Sequence, residues 1–293
     1  MVWPNWKNRR KRGIDNMGKF ILCTGKLAEE PLYFPLTKSE VYSIEELCYY
    51  LYENIYTVTE DTFDRAMVVW LREQLEMKET AEKLEQMIKN RNGMKDIVVT
   101  LLCSADYYTE DEIKDVIQII DSVNDLPLWG RMKIKGDNYL RYEKYTEAAK
   151  EYEKILHSKE AAELDVKEYG DILHNLAIAH VHTRTFHSAA QEFKEAYSRN
   201  NNEESLKQYF FALKLGKYEK EFEEELLRYQ VSEGQAKLYL EELNTILEEA
   251  KNLQIYKEIK KFSKLKEDGK VAEYYENIET LIGQWKKEYR EEL

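Results

Sequence analysis

Six positions repeat at a single spacing, and this restricts the fold more than any other feature of the chain. Gly136, Tyr139, Tyr145, Ala148, Tyr152 and Ile155 are matched, 41 residues on, by Ala177, His180, Phe186, Ala189, Phe193 and Ala196. Within the first set a helical stripe stops near Glu143 and restarts at Tyr145. Small and aromatic residues recurring in this order predict pairs of helices stacked on one another. One such pair cannot bury its own apolar face, so the repeat implies an array that leans on its neighbours.

The pattern resembles the tetratricopeptide repeat over residues 129–200, and through a degenerate third unit to 230. The resemblance implies that small residues at Gly136 and Ala177 let helix A of each unit approach helix B. Ala148 and Ala189 do the same from the other side, and aromatics fill the gap. The family's usual period is ~34 residues, so the excess here is expected in a longer connection around "HSKEAAE" from His157. In the third unit, Glu203 to Tyr229, Gly216 and Tyr218 echo the turn, while Glu221 and Glu225 stand where alanine and an aromatic belong.

The resemblance further implies a groove on helix A, opposite the packing stripe, for a segment of another protein. Its residues would be Lys133, Asp137 and Arg141 in the first unit, and Asp171, His174, Ile178 and His182 in the second. Members that grip a C-terminal carboxylate use lysines and asparagines, which Lys133, Asn175 and Lys207 would partly supply. Asp137 stands where such a clamp has an asparagine and would repel the carboxylate.

Helix dominates the rest of the chain as well. Only four prolines and eleven glycines interrupt 293 residues, of which 34% are charged, so the fold is expected to be mainly α. From Lys19 to Cys23 and from Leu32 to Leu36 the chain is apolar and β-prone, and Glu29-Glu30-Pro31 between them reads as the turn of a small hairpin. Ser43 and Glu46 form a capping box ahead of a helix starting near Ile44, and Thr109 and Glu112 form a second. Between them "EDTFDRAMVVWLREQL", "ETAEKLEQMIKN", ending at Asn92-Gly93, and "MKDIVVTLLCSA" read as helices, the last apolar almost all round and therefore buried. Tyr49, Tyr50 and Tyr52 cannot all face inward from one helix, which predicts exposed aromatic surface there. Leu126-Pro127-Leu128 closes this half.

After residue 230, Ser232 opens a single helical pattern of more than thirty residues that Asp268-Gly269 breaks. Val271, Tyr275, Ile278, Ile282, Trp285 and Tyr289 then alternate strictly by four and three, a stripe that drives helix against helix. The expected organisation is a basic segment 1–16, a mostly helical domain 17–127 with a short β-hairpin, stacked repeats 128–230, and a long C-terminal helical hairpin 231–293. Lys7, Arg9, Arg10, Lys11 and Arg12 crowd the first segment, and translation is expected to start at Met17.

The net charge of −12 repels phosphate backbones and argues against nucleic acid. The longest uncharged apolar run, Ile97 to Ala105, falls short of the ~20 residues that span a bilayer. Cys23, Cys48 and Cys103 lie far apart in apolar sequence, as buried reduced thiols of a cytoplasmic protein would.

"GKFILCTGKL" fails as a phosphate loop, because six residues separate Gly18 from Gly25 and Leu27 follows Lys26. Among His174, His180, His182 and His187 no two are four apart, so no helical metal site is expected. His180 replaces a packing tyrosine, and His174 and His182 face the groove. No constellation assigns catalytic residues or a cofactor.

The favoured reading is a non-enzymatic cytoplasmic adaptor or scaffold that binds a partner protein segment in the helix A groove. The alternative is an assembly component that oligomerises through its C-terminal helices. A third reading, an enzyme with its site in the N-terminal half, has no residue set to support it.

Overall fold

The computed structural model describes residue 21 and residues 23–291. The basic segment 1–16, Met17, and Lys19, Phe20 and Leu22 of the first expected strand lie outside these. The chain divides into two compact units, the first ending at Leu126 and the second starting at Pro127.

In the first unit a two-stranded antiparallel sheet precedes five helices. Strand β1 (Leu32–Phe34) pairs with β2 (Ser39–Val41), Tyr33 opposite Glu40. The turn of this pair is at 35–38, while the expected pairing of 19–23 across Glu29-Glu30-Pro31 rests on residues outside those described. Pro35, which has no N–H to give a ladder, ends β1 before the expected Leu36. Lys38 then takes a left-handed conformation, φ 53°, to reverse the chain.

Helix α1 (Ile44–Glu53) starts at Ser43, whose hydroxyl accepts from the Glu46 N–H; Glu46 reaches one residue further back, to the Tyr42 N–H, than a capping box requires. Asp64 caps α2 (Arg65–Glu73), and a 3-10 turn at Glu60–Thr62 takes the place of its expected first turn. Then follow α3 (Lys78–Lys89), α4 (Met94–Leu102) and α5 (Glu110–Asn124). The reversal after α3 is made by Arg91, φ 55°, while Gly93 opens α4. The full capping box at Thr109 and Glu112 is present.

Leu47, Leu51, Leu71, Val98, Leu101 and Leu102 centre the core of this unit. Tyr49, Tyr50 and Tyr52 do not open an aromatic surface: Tyr50 stacks on Phe34 at 3.7 Å and Tyr52 on Tyr108 at 4.5 Å. None of the three is exposed, because the hairpin and the segment before α5 each bring a ring to cover the helix. All three cysteines are free. Cys48 is buried, donates to the Leu101 carbonyl, and burial pushes its thiol up to about 12. Cys103 is exposed, against expectation, because it caps the C-terminus of α4 on the outer side of the last turn.

The second unit is a row of helices in which α6 to α11 each pack on their neighbours in sequence. α6 (Leu128–Arg141) pairs with α7 (Tyr145–Leu156), α8 (Val166–Thr183) with α9 (Phe186–Asn200), and α10 (Glu203–Leu215) with α11 (Glu219–Arg228). The 41-residue spacing has its cause at 157–165, where a 3-10 turn, Lys159–Glu163, lengthens the connection; between α9 and α10 only Asn201 and Asn202 intervene. Ala148, Ala177, Ala189 and Ala196 are fully buried at the crossings. A Cβ on Gly136 would stand 2.7 Å from the Tyr152 ring, and one on Gly170 would stand 2.8 Å from the Asn200 backbone nitrogen. Burying rings such as Tyr152 and Phe193 in the space so closed stabilises the unit by about 2–3 kcal/mol each.

The third pair is better formed than its sequence implies, with its register one residue later. Glu143 (φ 61°) and Lys217 (φ 62°) make the same left-handed reversal, with matching hydrogen bonds from the two following N–H groups. Aligned there, Phe222 stands at the position of Ala148 and Leu226 at that of Tyr152. Phe222 is buried, and Glu221 and Glu225 belong to other positions.

Beyond the pairs, Ser232 caps α12 (Glu233–Ala250), which packs on α10. The expected single long helix is two. The Asn252 amide turns onto the Glu248 carbonyl, Leu253 becomes extended (ψ 143°), and α13 (Gln254–Glu267) starts afresh. Gly269, φ 77°, joins it to α14 (Val271–Glu291), which packs on α13 as a helical hairpin. No described helix is long and apolar enough to cross a membrane.

Candidate functional site: the helix A face

The first helices of the three pairs, α6, α8 and α10, are tied edge to edge by polar side chains. Asp137 on α6 is the first tie. Its carboxylate accepts from Lys133 Nζ at 2.7 Å, Tyr152 Oη at 2.7 Å and Asn175 Nδ2 at 2.9 Å, which joins α6, α7 and α8. Lys133 follows from the sequence, because i and i+4 are neighbours on a helix. Burial, and then the Asp137 charge, raise the Tyr152 hydroxyl far above the usual phenol range, so it remains a donor. The negative charge that would repel a ligand carboxylate is matched here by Lys133.

The second tie joins α8, α9 and α10. Asn200 Nδ2 donates to Asp171 at 3.0 Å and to Ser205 Oγ at 3.1 Å, and His174 Nδ1 shares a hydrogen bond of 2.9 Å with the same hydroxyl. Burial holds His174 below the usual imidazole range, although Glu204 and Asp171 oppose it. The third tie runs from α10 to α12: Lys207 bridges Glu204 at 3.0 Å and Glu242 at 2.8 Å, and the Glu242 hydrogen bond is the main reason its ammonium is held above the usual range.

The groove residues expected from the sequence are thus divided. Lys133, Asp137 and Asn175 meet in one network, and Asp171 and His174 in the next. Ile178 packs, half-buried, against the core of the second and third pairs. Arg141 and His182 are exposed. The His182 ring lies flat on Tyr145, 3.7 Å between centroids, and the partial desolvation of the ring lowers its basicity. His180 is buried with Nδ1 2.7 Å from Glu192, so a hydrogen bond links α8 to α9 where the first unit has a packing tyrosine.

Four residues of these ties carry no mark in the sequence repeat: Asn200, Glu204, Ser205 and Glu242. Asn200, next to the left-handed Asn201, was findable as a helix end, since asparagine favours such sites. Ser205 and Glu242 each lie on an ordinary helix face, and only the neighbouring helix selects them.

Ser205, His174 and Asp171 have the composition of a nucleophile, its base and a carboxylate. Their geometry serves structure instead. Ser205 is 0% exposed, so no substrate carbonyl reaches its oxygen, and Asn200 already donates to that oxygen. Among the described residues, no group of three or more His, Cys, Asp or Glu side chains could hold a metal ion. No family model, no curated protein and no solved structure matches the chain.

Proposed function

We propose that the second unit is a tetratricopeptide-like, non-enzymatic interaction module, a cytoplasmic adaptor or scaffold that receives a segment of another protein along its helix A face. The tie series Asp137–Asn175, His174–Ser205 and Lys207–Glu242 carries this reading. It fixes α6, α8, α10 and α12 side by side before any ligand arrives, so little ordering entropy is lost on binding. The tied groups set the surface, and exposed residues beside them make contact. In a chain of net charge −12, the Arg141 guanidinium is a local cation suited to acidic groups on the partner, and the His182–Tyr145 stack offers a flat ring surface.

The test is affinity capture of partners with the intact protein and with an Arg141→Ala/His182→Ala variant of matched helicity and melting. A segment identified in this way is then titrated as a peptide. Loss of one charge-assisted contact and one ring contact weakens binding by about tenfold or more. A partner held at full strength by the variant removes this face from consideration for that partner.

A further inference from the structure

The α13–α14 hairpin carries an apolar strip that its own two helices do not close. Within α13 no residue is buried. Ile255, Tyr256 and Ile259 on α13 and Val271, Tyr275, Ile282 and Trp285 on α14 are exposed, Tyr275 to 55% and Trp285 to 44%. On α14 these residues belong to the strict four-three stripe, a seam narrow enough to suit pairing with another helix. Of the half-buried residues, Tyr274 and Leu281 on α14 and Phe262 and Leu265 on α13 lie to one side of the exposed ones, and Ile278 is the half-buried member of the α14 stripe. The pair therefore has a covered flank and an open one. An open strip of this extent is uncommon on a monomer and marks an interface.

Charge identifies what covers it. Helix α13 holds Lys257, Lys260, Lys261, Lys264 and Lys266 against two glutamates, whereas the first half of α14 holds Glu273, Glu276 and Glu279 and no cation. The basic half of α13 and the acidic half of α14 flank the same turn at Asp268–Lys270. A two-fold axis running along the hairpin brings two copies together with both turns at one end. It sets each α13 beside the α14 of the other copy, lysines against glutamates, with the open strips face to face. We propose that two copies of this chain associate through α13 and α14, forming an antiparallel four-helix bundle of which each chain supplies half. This is independent of the helix A face.

The test uses the full chain. Sedimentation across a wide concentration range should give a mass that rises to twice 35.0 kDa. Ile259→Glu/Ile282→Glu should hold it at the mass of one chain with unchanged helicity. Should that variant unfold, a charge exchange on the surface decides. Lys260→Glu/Lys264→Glu makes both helices acidic, and Glu276→Lys/Glu279→Lys makes both basic at the facing positions. Each alone should dimerise at least about tenfold more weakly, and an equal mixture should form the mixed dimer in preference to either homodimer. A wild-type chain that stays monomeric at every concentration overturns the proposal. So does a dimer indifferent to both charge variants, or a mixture that shows no preference for mixed pairs.

Discussion

In the α8–α9 pair, Ala177, Ala189 and Ala196 are sealed from solvent and the helices are bridged by hydrogen bonds; in the α13–α14 pair, Tyr275, Ile282 and Trp285 stand open. Both are helical hairpins built on an apolar stripe. The difference lies in the residues at the crossing. Alanine and glycine let backbones approach until rings and methyls of the next layer fill the remaining space, and polar side chains then find partners on three helices at once. Large residues on a two-helix layer with nothing stacked above it stay half in water. A helical array thus owes its stability to each pair having a neighbour, and the last pair shows what happens where the described chain offers none.

Four measurements break or sharpen this contrast. The largest effect belongs to Asp137→Ala, which leaves Tyr152, Asn175 and Lys133 without their shared acceptor; chemical unfolding at neutral pH should show a loss of about 3 kcal/mol. If the unfolding midpoint does not move, the tie is not what holds the first two pairs together. Ala148→Leu comes next. Overpacking a fully buried crossing costs about 1–3 kcal/mol, read as a lowered melting temperature, and an unchanged value would mean that the crossing has room the geometry denies.

A smaller effect follows from His174. Its folded-state basicity lies below that of an ordinary imidazole, so the unfolded chain takes up the proton first. Stability is therefore complete above about pH 6.5 and declines as pH falls through the ordinary histidine range toward the lower folded value. His174→Gln removes this component, so the stability difference between wild type and variant should shift against the wild type on acidification; parallel pH profiles would refute it. The smallest effect is expected in the open hairpin. Tyr275→Ser, measured at a concentration where the chain is monomeric, should change stability by no more than about 0.5 kcal/mol. A loss as large as that of Ala148→Leu would show that the strip is already covered within one chain.

Much of this fold is legible in the order of residues. The stripe that stops near Glu143 and restarts at Tyr145, the box at Thr109 and Glu112, and the Asp268-Gly269 break all act through groups no more than a few positions apart, and each marks its element. The small N-terminal hairpin is legible as a hairpin, but not its arms. The described arms are β1 and β2, and Pro35 with the left-handed Lys38 makes the turn between them. The break at Lys251–Leu253 is missed because the apolar spacing continues across it. The third pair's register is misread by one residue because a lysine, not the adjacent Gly216, adopts the left-handed conformation.

The candidate site divides along the same line. Sequence alone determined that Lys133, Asp137 and Arg141 share one face of α6, and that Asp171, His174, Asn175, Ile178 and His182 cluster along α8, because a helix has a fixed turn of 3.6 residues. Only the tertiary structure decided which of them are held within the protein. Asp137 meets Tyr152 and Asn175, and His174 meets Ser205, because α6, α8 and α10 lie side by side at rotations that bring those side chains to within 3 Å. A hydrogen bond requires that fit to within a few tenths of an ångström. Periodicity fixes a face to within a residue's width, and it is the packing of the alanines and glycines beneath that sets the remaining distance.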